Sequence, residues 1–285
     1  MRLFRSTGPR ALPAGARFSD GREVRSLLAD VLGGPVADVR VLNHHGLLSL
    51  RVDSAGHRYK VSECESETRA ALAASALELV AAASGPVPRG VARSRAVLVT
   101  EWVEGRACCE EPLAAQVQWL LQCQLALANA SVPPDIEAGG YLHLESLASR
   151  FRHCGRLVLS GRRIEAVLGR LWEQLPPLAA PHIIHPDLTP ANVVLTDNGP
   201  VVIDNEAIAV ARGREFDIWN TGEALRGRRD LAGIESYVRA FSAYQPLPSL
   251  YEYRNVWDAF RLMRQGLKAL EKRRLVKAAR MLRRL

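Results

Sequence analysis

Between Asp38 and Glu63 the chain runs through three short bursts, "DVRVLNHH", "LLSLRVDS" and "RYKVSE", in which apolar residues recur at every second position. That period is the mark of a strand with one face on a core. The bursts are separated by turns at Gly46 and at "AGH", so the pattern predicts an antiparallel meander. Upstream, "SDGREVRSLLADVLGG" predicts a short helix capped by Ser19 or Asp20. Downstream the period changes: an Ala-rich helix runs to about Ala83, and Ser62 with Glu65 resembles a capping box at its start. "GPVPRGV" breaks that helix, and "SRAVLVTEWVEG" reads as two further strands around a turn, ending near Gly105.

Past that point the pattern is helical, over about 112–130, 144–156 and 161–175, with loops at "SVPPDIEAGG" and "LPPLAAPH". One interruption stands out. "NVVLTD", a turn at Asn198-Gly199 and "PVVIDNE" predict a hairpin, after which helix resumes from about 215 to the end. The expectation is an α+β chain in two parts: residues 1–105, a small antiparallel sheet with one long helix, and residues 106–285, mostly helical and carrying one hairpin.

Composition narrows the class. With 48% apolar and 24% charged residues, 285 residues suffice for one large domain or two lobes. The first residues contain no long apolar run, and the most apolar stretch, "AALAASALELVAAASGPV", is Ala-rich and carries Glu78. Neither a secretory leader nor a membrane span is expected, and the chain reads as cytoplasmic. The cysteines at 64, 108, 109, 123 and 154 form no C-x-x-C and no metal-finger spacing, so they read as reduced thiols.

Charge is unevenly placed. Residues 261–285 hold ten Arg/Lys and one acid, Glu271, for a net of +9; the chain is +8, so residues 1–260 sum to −1. The basic excess therefore belongs to a tail, which argues against a nucleic-acid groove in the body. The tail's apolar and basic faces suit a helix lying on an anionic membrane or a glycolipid, or a last helix with a solvated face. Only four of the 38 basic residues are Lys, and Lys60 is the only one in the first 267 positions. An ammonium is a compact point charge that Arg's planar fork does not replace.

The hairpin region carries the chemistry. In "HPDLTPANVVLTDNGPVVIDNE" an Asp at 187 is followed by Asn192 and then Asp204. The first lies in a loop before the hairpin, the second at the start of one strand and the third at the end of the other, so all three gather at one end of it. Phosphoryl transfer asks for a proton acceptor and for hard oxygen ligands to magnesium. These three residue types supply both.

"H-P-D-L-T-P-A-N" resembles the H-x-D-x-x-x-x-N catalytic loop of protein-kinase-like enzymes. "VVIDNE" resembles the I-D-W-E segment of their aminoglycoside and choline kinase branch, and "VARGREFDIWNTG" is similar to the segment that follows it there. The resemblance implies a two-lobed protein-kinase-like fold using ATP and Mg2+, with Asp187 as catalytic base, Asn192 and Asp204 on the metal, and Asp217 as a structural anchor. It implies Lys60 on the nucleotide phosphates, with a helix glutamate beside it; Glu67 fits best, Glu65 and Glu78 being alternatives. It also implies a phosphate-covering turn at Gly46, and a linker at which the backbone of Glu101 and Val103 meets adenine. No A-P-E segment follows, so the expected acceptor is a hydroxyl on a small molecule, sugar or glycolipid. The competing class is a pseudokinase that binds nucleotide or a partner without transfer.

Overall fold

The computed structural model describes residues 10–44, 47–157, 160–225 and 232–271. The first part comprises β1 (Arg10–Ala11), α1 (Val24–Leu32), β2 (Val36–His44), β3 (Leu48–Ser54), β4 (His57–Glu63), α2 (Glu67–Ala82), β5 (Gly90–Ser94) and β6 (Val97–Glu101). The strands form one antiparallel sheet in the order β1-β2-β3-β4-β6-β5. Alternate residues of β3 are buried, as its period demands. Ala55 and Gly56 both take positive φ, the geometry of a tight hairpin turn between β3 and β4. Leu50, Val52, Val61 and Val99 on the inner face pack with Leu28 of α1.

Two helix starts differ from the sequence expectation. Glu23 precedes α1 without a side-chain cap. Asp20 instead accepts the Arg22 backbone N–H at 3.1 Å, while the Ser19 N–H is spent on Glu63 Oε1 at 2.6 Å. The first of these is a local side-chain bond of the kind that holds the chain in a turn. At α2 the cap is Ser66, whose hydroxyl accepts from the Arg69 N–H at 3.1 Å. Ser62 is buried inside β4, opposite Leu98 of β6, because that strand runs on to Glu63.

The second part contains β7 (Arg106–Ala107), α3 (Leu113–Asn129), α4 (Leu142–Cys154), α5 (Gly161–Glu173), β8 (His182–Ile184), β9 (Val193–Thr196), β10 (Gly199–Val202), β11 (Ala209–Ala211), α6 (Glu215–Ala224), α7 (Ala232–Tyr244), α8 (Ser249–Glu252) and α9 (Arg254–Glu271). The expected hairpin is β9–β10, with β7 added on its β9 edge. A second small sheet, β11-β8, brackets the hairpin in sequence. Its three-residue strands are too short to leave a period in the sequence. The helical core joins Phe151, Phe216, Tyr237, Phe241, Trp257 and Phe260, all essentially solvent-free.

The two parts form two lobes that pack against each other through α2. Its inner face is small, with Ala70, Ala73, Ala76, Leu77 and Val80 packed against Leu127, Ile183, Ile208 and Val210. Arg69 Nη2 donates to the Ile208 carbonyl at 3.1 Å, and the Val202 N–H to the Pro86 carbonyl at 2.6 Å. Among the described residues no helix is long and apolar enough to cross a membrane. Most of the basic tail, from residue 272 on, lies outside the described residues.

Candidate active site

The site is assembled by strand register on one side and by loop hydrogen bonds on the other. In β4, Lys60 stands opposite Thr100 of β6 and Tyr59 opposite Glu101. The strand bearing Lys60 therefore runs alongside the linker Trp102–Gly105. Lys60 is buried and forms an ion pair with Asp204; its Nζ also lies 3.7 Å from Glu206 Oε2.

Across the cleft, the segment after β8 folds into a tight loop. The Leu188 N–H donates to the His185 carbonyl at 3.1 Å. Pro190–Asn192 then makes a single 3-10 turn, Pro190 standing where no amide donor is needed. Asn192 is the brace: its Nδ2 donates to the Asp187 carbonyl at 2.9 Å and to Asp187 Oδ2 at 3.2 Å. Its own carbonyl accepts the Ile203 N–H at 2.8 Å, which ties the end of the hairpin to the loop. Asp204 follows in the left-handed region at φ 62° and ψ 44°. That conformation costs a non-glycine residue of order 1 kcal/mol, and here it goes with a carboxylate directed at Lys60.

Two further polar groups are buried in this lobe. Burial keeps the His185 imidazole below its ordinary pKa and so neutral. Asp217, in the first turn of α6, is buried and lies 2.7 Å from His143 Nδ1 of α4, and its carbonyl accepts the Thr221 hydroxyl at 3.0 Å.

A cavity of about 250 Å³ opens between the lobes. Lys60, Thr100 and Asp204 provide its polar end, while Pro88, Leu98, Ala107, Val194 and Ile203 provide apolar walls. Glu101 and Val103 lie at its linker edge. Among the described residues Val103 enters no backbone hydrogen bond, so its N–H and C=O are available to the edge of a planar base. Gly105 is required there: a Cβ would meet the Leu195 carbonyl oxygen at 2.3 Å. A second cavity, of about 320 Å³, is bounded by Pro186, Glu206, His143, Ser146, Glu65 and Arg69. Cys64 also lines it, but burial, with the nearby Glu206 carboxylate, pushes its thiol up to about 11, which keeps it protonated.

Of the residues singled out in the sequence, Lys60, Glu101, Val103 and Asp204 line the first cavity, while Asn192 is bonded to Ile203 of its wall and to Asp187. Glu67 is not brought there. It is the first residue of α2 and is exposed, while Lys60 pairs with Asp204 instead. The inner face of α2 is largely alanine and both Glu65 and Glu78 are exposed, so neither takes Glu67's place. Gly46 lies outside the described residues. No sequence motif pointed to Asn205, whose buried Nδ2 donates to the Val202 carbonyl at 2.9 Å, or to Arg264, which reaches Asp187 from α9. Arg264 is 77 positions from Asp187 and belongs to no local motif.

Among the described residues no three His, Cys, Asp or Glu side chains converge as a metal site. The available donors are hard and few: the Asp204 carboxylate and the Asn192 Oδ1, left free because the amide nitrogen is the atom bonded to Asp187. That set fits Mg2+, which keeps few protein ligands and takes the rest from phosphates and water.

The match to known proteins agrees with this geometry. A family model described as a phosphotransferase enzyme family, APH, matches residues 39–253. No curated protein matches the sequence. Similar solved structures include a ternary complex of a thermostable mutant of aminoglycoside phosphotransferase APH(4)-Ia with AMP-PNP and hygromycin B. It is 17% identical, with a TM-score of 0.61 over 90% of this chain and 95% of that one. Spectinomycin phosphotransferase APH(9)-Ia, in complex with ADP and spectinomycin, is 12% identical, with a TM-score of 0.61 over 92% and 93%. A putative fructosamine-3-kinase from Thermobifida fusca YX-ER1 is 23% identical, with a TM-score of 0.57 over 92% and 99%. With three-quarters of its length matched by the family model, the chain belongs to the APH phosphotransferase family and is a phosphotransferase of kinase-like fold.

Proposed function

We propose that this phosphotransferase moves the γ-phosphoryl group of ATP to a hydroxyl of a small molecule, with Asp187 as the base. The observation that carries this reading is the Lys60–Asp204 pair at the polar end of a cavity whose far edge offers free backbone groups at Val103, with Asn192 bonded both to Ile203 of its wall and to Asp187. Adenine would lie against Leu98, Val194 and Ile203, and the phosphates would extend toward Lys60 and Asp204. Residues 1–105 then serve as the nucleotide lobe and 106–285 as the catalytic and acceptor lobe.

In the transfer the acceptor oxygen forms a bond to the γ-phosphorus as the bond to the ADP oxygen breaks, and the hydroxyl proton passes to the Asp187 carboxylate. Asp204 and Asn192 would hold Mg2+, which when bound neutralises charge on the phosphate oxygens. Lys60, freed from Asp204 by the nucleotide, places its ammonium on the phosphates. The second cavity abuts Pro186, which precedes Asp187, and Glu206, two residues past Asp204, and so offers room for an acceptor beside the base. The similar structures in complex with hygromycin B and spectinomycin support a small-molecule acceptor rather than a protein.

Binding without transfer is the alternative, and one observation favours it: Lys60 pairs with Asp204 and has no α2 glutamate beside it. Thermal stabilisation by ATP, ADP and GTP, with and without Mg2+, tests the first step for the wild type and Asp204→Ala. A Mg2+-dependent shift lost in the variant is expected. No shift with any nucleotide refutes the kinase reading, and a shift without ADP release across a panel of hydroxyl acceptors favours binding alone.

A further inference from the structure

Asp187 is half exposed, and a carboxylate on a loop at that exposure samples several rotamers unless it is tethered. One tether is local, from Asn192 Nδ2 to Oδ2. The other comes from the far end of the chain. Arg264 Nη2 lies 3.4 Å from Asp187 Oδ1, and Arg264 Nη1 donates to Asn220 Oδ1 at 2.6 Å. Asn220, buried in α6, donates its own Nδ2 to the carbonyl of Pro186 at 3.2 Å. The path from Pro186 through Asn220 and Arg264 to Asp187 is therefore closed: one guanidinium spans the buried amide that grips the loop backbone and the carboxylate of the next residue.

The platform beneath this bridge is rigid. Arg264 follows Met263 on a helix whose Trp257, Phe260, Met263 and Leu267 are buried in the lobe core. Its side chain is largely enclosed, and Glu223 Oε2, 3.9 Å from Nη1, holds the opposite flank. Glu223 is itself fixed through Oε1, which accepts from Gln265 Nε2 at 2.6 Å. A planar fork makes such a two-ended span; an ammonium on a flexible stem satisfies one end at a time.

Resting on the kinase reading above, we propose that Arg264 is a positioning residue for phosphoryl transfer, aiming Asp187 at the acceptor oxygen from the C-terminal helix. The local loop motif supplies the base and one tether, and α9 supplies the other. An effect of this kind belongs to the transition state, in which the acceptor oxygen must lie in line with the phosphorus, and not to nucleotide binding.

The test uses the full chain with Mg·ADP, Mg·ADP plus tetrafluoroaluminate, and ATP with water as acceptor. Tetrafluoroaluminate between ADP and an in-line water mimics the transferring phosphoryl group. Arg264→Gln is expected to leave Mg·ADP affinity within about twofold, weaken the fluoroaluminate complex about tenfold, and lower the kcat of ATP hydrolysis about tenfold with KM for ATP unchanged. Arg264→Lys should fall between the two, and it decides the matter alone if the Gln variant does not fold. An unchanged fluoroaluminate affinity, or an equal loss for Mg·ADP, overturns the proposal, the latter because it marks a general structural role. Wild-type protein that binds neither ADP form refutes the kinase reading itself, which is a separate result.

Discussion

The side of the cleft proposed to hold the nucleotide and the side proposed to hold the acceptor are built by different means. On the nucleotide side, Lys60, Thr100 and Glu101 are placed by the register of two neighbouring strands, and the linker follows directly from β6. On the acceptor side, Asp187 is held by Asn192 five residues away, by Asn220 through Pro186, and by Arg264 from the last described helix. The first side is a property of one sheet, the meander with β6 paired to it. The second exists only when α6 and α9 have docked. Damage to the meander should therefore appear in nucleotide affinity, and damage to the loop and its supports in turnover.

The largest expected effect tests that division directly. Asp187→Asn should lower kcat by about 10³-fold, within the range for removal of a general base, and leave the Mg2+-dependent thermal shift with ATP intact. Steady-state ADP release beside a melting curve reads both, and retained turnover would remove Asp187 from its role. Lys60→Arg keeps the charge but not the compact ammonium. It should raise the KM for ATP by about tenfold and change kcat less, the reverse split from Asp187→Asn.

A third prediction concerns stability at the base of the catalytic loop. His182 begins β8, and burial lowers its pKa from 6.5 to about 4. The folded state therefore favours the neutral ring. The contribution is fully present above the unfolded pKa and is lost as pH falls from about 6.5 toward 4. The shift corresponds to about 3 kcal/mol at most. Urea unfolding across this range should show the loss, and His182→Gln should flatten it; His185, shifted in the same direction, supplies the remainder.

Smaller effects sharpen the comparison from the other end. Glu67→Gln should change KM for ATP by less than about twofold, because Glu67 is exposed at the start of α2 and Lys60 is engaged elsewhere. A tenfold loss would mean that α2 rotates to deliver Glu67 once nucleotide is bound. Removal of residues 272–285 should weaken binding to anionic vesicles at low salt and spare ATP turnover. The cut belongs there and not at 261, since Met263 and Leu267 are buried in the lobe core. Vesicle binding unaffected by the cut would dismiss the membrane reading of the tail.

These outcomes parallel what could be read before the fold was known. The meander, the long Ala-rich helix and the β9–β10 hairpin were legible because each repeats its period over enough residues. The β8–β11 pair was not, since three residues carry no period, and its pairing joins segments 25 or more positions apart. Helix caps were misplaced at Ser62 and at Ser19 or Asp20 because several short polar side chains compete near each helix start. Glu67 was the best-spaced partner for Lys60 along the chain, yet which face of α2 meets the sheet is settled by packing, and packing selects the alanines.

By itself, then, the sequence determined the chemistry in hand: a carboxylate and an amide at fixed spacing in one loop, a second carboxylate at the end of a hairpin, and, in a strand pattern, the only lysine of the first 267 positions. The two carboxylates and the amide lie within one stretch of 18 residues, so local order is enough to place those three near one another. The tertiary structure alone decided which groups hold them. Lys60 meets Asp204 across 144 positions and Arg264 meets Asp187 across 77. Contacts of that span are fixed by how apolar faces of whole helices and sheets close on each other, and no local pattern encodes that closure.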